Sequence, residues 1–289
     1  VMGGTLKGDV YGGYITNENS AGTVSGNRIT LQNVAANLAY GGYTKGTGAV
    51  KDNTVEFSSS ESTERIAGGY IENENSSAEA SGNKVFFTGD TAVDIHGALS
   101  EGTGALKRNT VTFDGDDSMA DSIYGALSKN QGDVEENGVT LSGGTIEENV
   151  CGAVTDGTST AQNNFVTMTD GTVKKDLVGG IGYRSTGNTV TISGGTVEGG
   201  VYGGKTTGAS SSRASNNTVN LGAEDGTYTA TLSTTSIYGD NSTDDAVNNN
   251  TLNVRGKGIT VNKVSNFDKY NFKLNDHIKN GDTMLTIER

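Results

Sequence analysis

Proline is missing altogether from the 289 residues, although usage of roughly 5% would place about fourteen in a chain of this length. Strands paired on both sides would exclude it, because proline cannot donate to a ladder and is confined to edges, strand starts and bulges. Cysteine is reduced to Cys151, which rules out an internal disulfide framework and fits either a reducing compartment or a secreted protein that avoids disulfides. Positive charge is scarce as well: 21 Lys plus Arg face 34 Asp plus Glu, a net charge of −13, with no basic run. Nucleic acid is therefore not expected as a partner. No apolar stretch approaches the ~18 residues of a transmembrane helix, and the N-terminus has no signal-peptide pattern. Val1-Met2-Gly3-Gly4-Thr5 matches the middle of the repeat described next, so a piece of a longer chain is expected.

Glycine is abundant, with 44 residues, and regularly spaced. A hydrophobic content of 32% with this net charge would suit glycine-rich disorder, and the regular spacing argues against that. An aliphatic residue, any residue and Gly, followed as a rule by Gly or Ala, recurs as in Val10-Tyr11-Gly12-Gly13 and Val201-Tyr202-Gly203-Gly204. Its first glycines are Gly12, Gly41, Gly68, Gly97, Gly125, Gly152, Gly179, Gly203 and Gly239, at intervals of 29, 27, 29, 28, 27, 27, 24 and 36. A second phrase, Asn-x-aliphatic-x-apolar, keeps constant phase with it, at Asn27, Asn53, Asn83, Asn109, Asn137, Asn164, Asn188, Asn217 and Asn250. A looser third element lies between them, clearest in Ser193-Gly194-Gly195-Thr196-Val197. Fixed-period self-similarity of this kind marks a repeat architecture.

Each unit of about 28 residues holds three short segments of period-2 alternation and no run of 3.6 periodicity, so strands rather than helices are expected. The fold class that follows is all-β: a parallel β-solenoid of about nine coils, each of three short strands. Stacking equivalent positions forms two apolar columns, from Ile29 to Leu252 and from Leu31 to Val254. At ~4.8 Å between strands, nine coils make a rod of roughly 43 Å. The asparagines are expected as a structural ladder, each amide bonding to the coils above and below, with Asn tolerating the left-handed corner. The paired glycines read as a tight bend or a face too narrow for side chains. Loops after the glycines, such as 182–186 and 206–213, vary freely and are expected to project from one edge. Residues 228–232, in the longest interval, read as an added strand. The repeat region spans 1–254, and 255–289 reads as a C-terminal cap of the same continuous domain. Phe267, Tyr270, Phe272, Leu274, Ile278, Met284, Leu285 and Ile287 would cover the last coil.

Chemistry is sparse. His96 and Cys151 occupy the position that carries Tyr11, Tyr40, Tyr124 and Tyr202 in other coils, so both read as members of a side-chain column; His277 falls in the cap. No Ser/His/Asp arrangement has spacing support. Three or four positions before the first glycine, Asp9, Glu64, Asp94, Asp121, Glu148 and Asp176 recur. Stacked carboxylates repel by about 1 kcal/mol or less each when solvated, so the column either splays into water or is bridged by calcium; the solvated reading is preferred, and no cofactor is expected. Asp94, Asp121, Glu148 and Asp176 are the candidate metal positions. With Lys174 and Lys175 they are also the candidates for a polysaccharide lyase or hydrolase, the alternative to a non-enzymatic rod. Against that alternative, the acids recur with the repeat, whereas a catalytic site normally breaks it. An ice-binding Thr-x-Thr array is interrupted at Glu56, Phe86 and Asn253.

The phrase GNTVTISGGTVEGGVYGG at residues 187–204 resembles the passenger-domain repeats of bacterial autotransporters, and VSNFDKYNFKLNDHIKNGDTMLTI at 264–287 is similar to the segment that closes many such passengers. The resemblance covers nearly the whole chain. It implies a right-handed β-helix, export by type V secretion across two membranes, and extracellular display at the bacterial cell surface. It also implies adhesion to a host or bacterial surface protein or glycan, or self-association. The signal peptide and translocating barrel of such proteins are not in this sequence, nor is the Gly-Asp-Ser-Gly segment of passenger serine proteases.

Overall fold

A computed structural model describes residues 1–6, 8–208, 213–242 and 248–289. The described residues contain strands and no helix, and the strands stack in parallel as a right-handed β-helix of about ten turns. The register follows the repeat: Val111 pairs with Val85 below and Val139 above, and Phe113 pairs with Phe87 and Leu141. Because alternate side chains of a strand point to opposite faces, residues two apart in each Asn-led strand enter the same interior. Ile29, Val55, Val85, Val111, Val139, Val166, Val190, Val219 and Leu252 form one buried column there, and Leu31 to Val254 the other. Phe57, Phe87 and Phe113 lie face to face within the second, at centroid spacings of 5.6 and 5.1 Å. Such stacking adds about 0.5–1.5 kcal/mol per pair to the burial itself.

One turn runs through five strand segments. Thr189–Ile192 leads from Asn188, a turn at left-handed Gly195 (φ 83) follows, and Thr196–Val197, Gly200–Tyr202 and Lys205–Thr206 continue round the coil. Arg213–Ser215 completes the turn before the next asparagine. The first four segments belong to a single bent 25-stranded sheet, and the fifth builds a separate narrow sheet of 8 strands. The two- and three-residue strands of that narrow sheet, such as Val24–Ser25 and Leu106–Lys107, precede the asparagines from Asn27 to Asn217 and escape sequence reading because so short a run shows no periodicity. Val24, Val50, Ala80, Leu106, Val134 and Ala161 line its inner side as a second apolar cluster.

Three expectations are modified. Residues 228–232 do not form an added strand. Thr229 and Thr231 donate backbone N–H groups to the carbonyls of Ser193 and Gly195, at 2.7 and 2.8 Å, and the strand begins at Leu232. The parallel ladder also runs on past Arg255. Ile259–Ser265 pairs with Leu232–Tyr238, Lys269–Phe272 with Thr251–Val254, and Leu285–Ile287 with Ile259–Ser265. The segment expected as a cap therefore supplies a tenth turn. Phe267, Met284 and Leu285 pack on the core, while Tyr270, Phe272, Leu274 and Ile287 are exposed. The left-handed corner, thirdly, is not the ladder asparagine but the residue before it: Gly26, Asp52, Gly82, Arg108, Glu136, Asn163, Gly187, Asn216 and Asn249 have φ between 53° and 69°. None of the ladder asparagines has a positive φ. Part of the 206–213 loop, residues 209–212, lies outside the described residues.

Candidate functional site

The asparagine column is the polar spine of the rod. Each amide nitrogen donates to the amide oxygen of the next coil's asparagine, from Asn27 to Asn53 at 2.8 Å through Asn188 to Asn217 at 3.1 Å and Asn217 to Asn250 at 3.4 Å. The same oxygen also accepts the previous asparagine's backbone N–H, as in Asn109 to Asn137 at 2.9 Å. The second amide hydrogen reaches back to the narrow sheet, from Asn137 to the Leu106 carbonyl at 2.9 Å. Asn53 through Asn250 are 0% exposed, so their hydrogen-bonding capacity is taken up within the fold and none is offered to a ligand. A directional stack of amides needs an acceptor at its end. Asp268 Oδ2 accepts the Asn250 backbone N–H at 3.0 Å, and buried Asp240, standing where other coils have Gly or Ala, accepts the Asn250 amide at 2.7 Å. Neither carboxylate is visible as a ladder member from spacing.

The glycine column is set by close approach. A Cβ on Gly41 would stand 2.5 Å from the Gly68 carbonyl oxygen and 3.1 Å from the Asn53 Cβ, so the strand folds directly over the ladder there. The bend at each Gly-Gly or Gly-Ala pair has an external consequence. Residues three apart in a flat strand point to opposite faces. Across the bend they instead meet on the outside, forming a crease along the rod. One wall is the column already legible in sequence: Tyr11, Tyr40, Ala67, His96, Tyr124, Cys151, Val178, Tyr202 and Tyr238. The other, which sequence reading missed, is Tyr14, Tyr43, Tyr70, Leu99, Leu127, Val154, Ile181 and Lys205.

At the first three coils the crease is aromatic. Tyr11 stacks on Tyr14 at 4.5 Å, Tyr40 on Tyr43 at 5.7 Å, and Tyr43 meets Tyr70 edge-on at 5.4 Å. A cavity of about 380 Å³ opens among them, with Asp9, Lys45, Arg65 and Glu72 at its edges. Burial raises the phenols of Tyr11, Tyr40 and Tyr70 above the usual tyrosine value; Asp9 adds to this at Tyr11 and Glu101 at Tyr70. All three stay protonated donors at neutral pH.

Further along, the crease is filled. His96 is 2% exposed, lies on Tyr124 at 5.2 Å, and leaves Nδ1 without a partner. Burial, assisted by Arg65 and Lys129, pushes its pKa down to about 3, so the ring is neutral. Burial pushes the Cys151 thiol up to about 12, which keeps it from acting as a thiolate.

The acids do not make one column. Asp94 stands in register with Arg65 and Ser122 rather than with Glu64 and Asp121. Asp121 and Glu148 share the preceding row, where Glu148 N–H donates to the Asp121 carbonyl at 2.8 Å, and both side chains are exposed. Asp176 is taken up by Lys205 at 2.9 Å and by the Gly200 N–H. The difference between three residues before the glycine, at Asp94 and Asp176, and four, at Asp121 and Glu148, is this one-residue offset, which separates the carboxylates into alternate rows. Burial raises the Asp94 carboxyl, with Arg65 opposing and Asp121 adding to the shift. Lys174 binds Glu147 at 2.8 Å, away from these acids, and Lys175 is exposed. Among the described residues, no group of three or more His, Cys, Asp or Glu is placed to hold a metal ion, and no helix is long and apolar enough to cross a membrane. No family model, curated protein or solved structure matches the chain.

Proposed function

We propose that this chain is a non-enzymatic, surface-displayed adhesive rod: the passenger of a bacterial autotransporter, extracellular, contacting a host or bacterial surface protein or glycan, or another rod of the same kind. The observation that carries this reading is the saturation of the ladder. Hydrogen bonds along the asparagine column close the interior polar groups on themselves, leaving loops and the outer crease as the surfaces that vary from coil to coil. A rigid support presenting many weak polar contacts suits multivalent attachment. The repeat phrase at 187–204 and the ending at 264–287 supply the likeness to autotransporter passengers. For the non-catalytic part, support comes from the acids. They alternate between rows: Asp121 and Glu148 are exposed, Asp94 is half-buried in register with Arg65, and Asp176 is paired with Lys205, an arrangement unlike two carboxyls facing one substrate bond.

The test is display. The chain is fused to a translocating β-barrel in a non-adherent bacterium, and settling of the culture and adherence to epithelial cells are compared with the barrel alone. Increased settling or adherence is expected; equality with the barrel alone in both assays refutes the reading.

A further inference from the structure

The crease changes character along the rod. Where it is filled by Ala67, Leu99, Cys151 and Val178 the side chains are 1% exposed or less, as packing alone would produce. At the first three coils, five of the chain's 11 tyrosines converge instead, around open volume. We infer that this aromatic end of the crease is a binding site for a neutral polysaccharide. The inference deepens the adhesive reading by naming a ligand class, and rests on that reading only for its setting at a cell surface.

Three features select this chemistry. Tyr14 is 48% exposed and stacked on Tyr11, offering a ring face. The negative face of an aromatic ring attracts the polarised C–H groups on the flat side of a sugar. Beside it, Tyr40, Tyr43 and Tyr70 are 2–8% exposed and line the recess.

The second feature is charge. Two carboxylates and two cations edge the cavity, and they are matched internally. Lys45 pairs with Glu72 at 3.3 Å, Asp9 accepts the Tyr11 hydroxyl at 3.0 Å, and the Arg65 guanidinium lies 5.9 Å from the Tyr70 ring centre. The charged side chains edging this cavity thus sum to no net formal charge in a chain of charge −13, yet present donors and acceptors together. That combination complements a hydroxyl-rich, uncharged ligand better than a polyanion or a polycation.

The third is continuity. Past Lys45 and Glu72 the recess runs into a second hollow of about 240 Å³ lined by Glu18, Asn73, Glu74 and Asn75, all polar. An aromatic platform leading into amides and carboxylates accommodates consecutive sugar rings, and the first cavity already falls within the roughly 300–1,000 Å³ of small-ligand sites.

The absence of tryptophan makes tyrosine emission the direct reporter. The purified chain is titrated with hexasaccharides of β-linked glucose, galactose and N-acetylglucosamine, and in separate arms with a uronic-acid polymer and a proline-rich peptide. Saturable change with at least one neutral hexasaccharide is expected, weakened tenfold or more by Tyr14→Ala and by Lys45→Ala, and unaltered by Tyr238→Phe. Denaturant midpoints confirm that the variants fold; should Tyr14→Ala not fold, Tyr14→Ser and Glu74→Ala serve in its place. Silence with every neutral hexasaccharide, binding confined to the uronic-acid polymer or the peptide, or undiminished binding by folded crease variants overturns the site. If the purified chain binds no glycan while displayed cells still settle, the glycan site falls and the adhesive reading stands. If it binds but display confers neither settling nor adherence, the site stands and the adhesive reading falls.

Discussion

Asn137→Ala tests the ladder at its centre. The wild-type side chain donates to the Leu106 carbonyl at 2.9 Å and to Asn164 Oδ1 at 3.1 Å. Its own oxygen accepts the Asn109 backbone N–H and the Asn109 amide, both at 2.9 Å. Truncation removes all four bonds. Asn164 Oδ1 keeps the Asn137 backbone N–H at 3.0 Å, but two donors on Asn109 lose their acceptor at a site that is 0% exposed. A buried donor without a partner costs about 1–3 kcal/mol, so the loss should be about 2–6 kcal/mol. Because coils pair their strands with immediate neighbours, the damage should be local. Urea titration gives the size of the loss. Native-state hydrogen exchange gives its location, since a long repeat array need not unfold in two states. Protection should fall around residues 109–164 and persist near 29 and 252. Asn27→Ala, at a partly exposed position where water can replace the bonds, should cost under about 1 kcal/mol. An unchanged midpoint for Asn137→Ala, or an equal loss for Asn27→Ala, would refute the ladder as a source of stability.

Gly68→Ala should destabilise by about 1–3 kcal/mol or more, since its Cβ would stand 2.6 Å from the Gly97 carbonyl oxygen and 2.8 Å from the Lys84 nitrogen; a melting temperature equal to wild type would contradict the close packing of the bend. His96→Phe should reduce acid sensitivity. The folded pKa of about 3 lies below the ordinary 6.5, so the stability this ring contributes is present above pH 6.5 and lost as pH falls towards 3, on the order of a few kcal/mol. Urea midpoints at pH 7 and pH 4 should therefore differ less in the variant; equal differences would exclude the histidine as the cause. Cys151, raised from 9.0 to about 12, should resist a thiol reagent at pH 8 in the native chain and react in urea, its stabilising contribution fading only as pH climbs from 9 towards 12. Stoichiometric native labelling would show that the crease is open there.

The ladder and the two interior columns were readable because one is asparagine and the others are apolar at every coil, so Asn109 over Asn137 and Phe87 over Phe113 needed no knowledge of curvature. The narrow sheet was not readable, since Leu106–Lys107 is too short to show alternation. The acids were misjudged by a single residue: Asp94 lies three residues before Gly97 and Asp121 four before Gly125, and that difference puts them in adjacent rows. Asp240 and Asp268 broke the motif they serve, and only their distances to Asn250 identify them as the acceptors that end the amide stack.

By itself the amino-acid order determined that the chain is a stack of parallel coils, because proline's absence and two phased anchors already dictate which residues lie above one another. What the tertiary structure alone decided is where the coil bends and what that brings together. Tyr11 and Tyr14 are three apart and should face opposite ways on a flat strand, but the turn at Gly12 and Gly13 lays their rings against each other at 4.5 Å. Stacking depends on spacing along the chain, whereas convergence depends on local curvature set by how closely neighbouring backbones can approach, and that distance is a property of the folded rod.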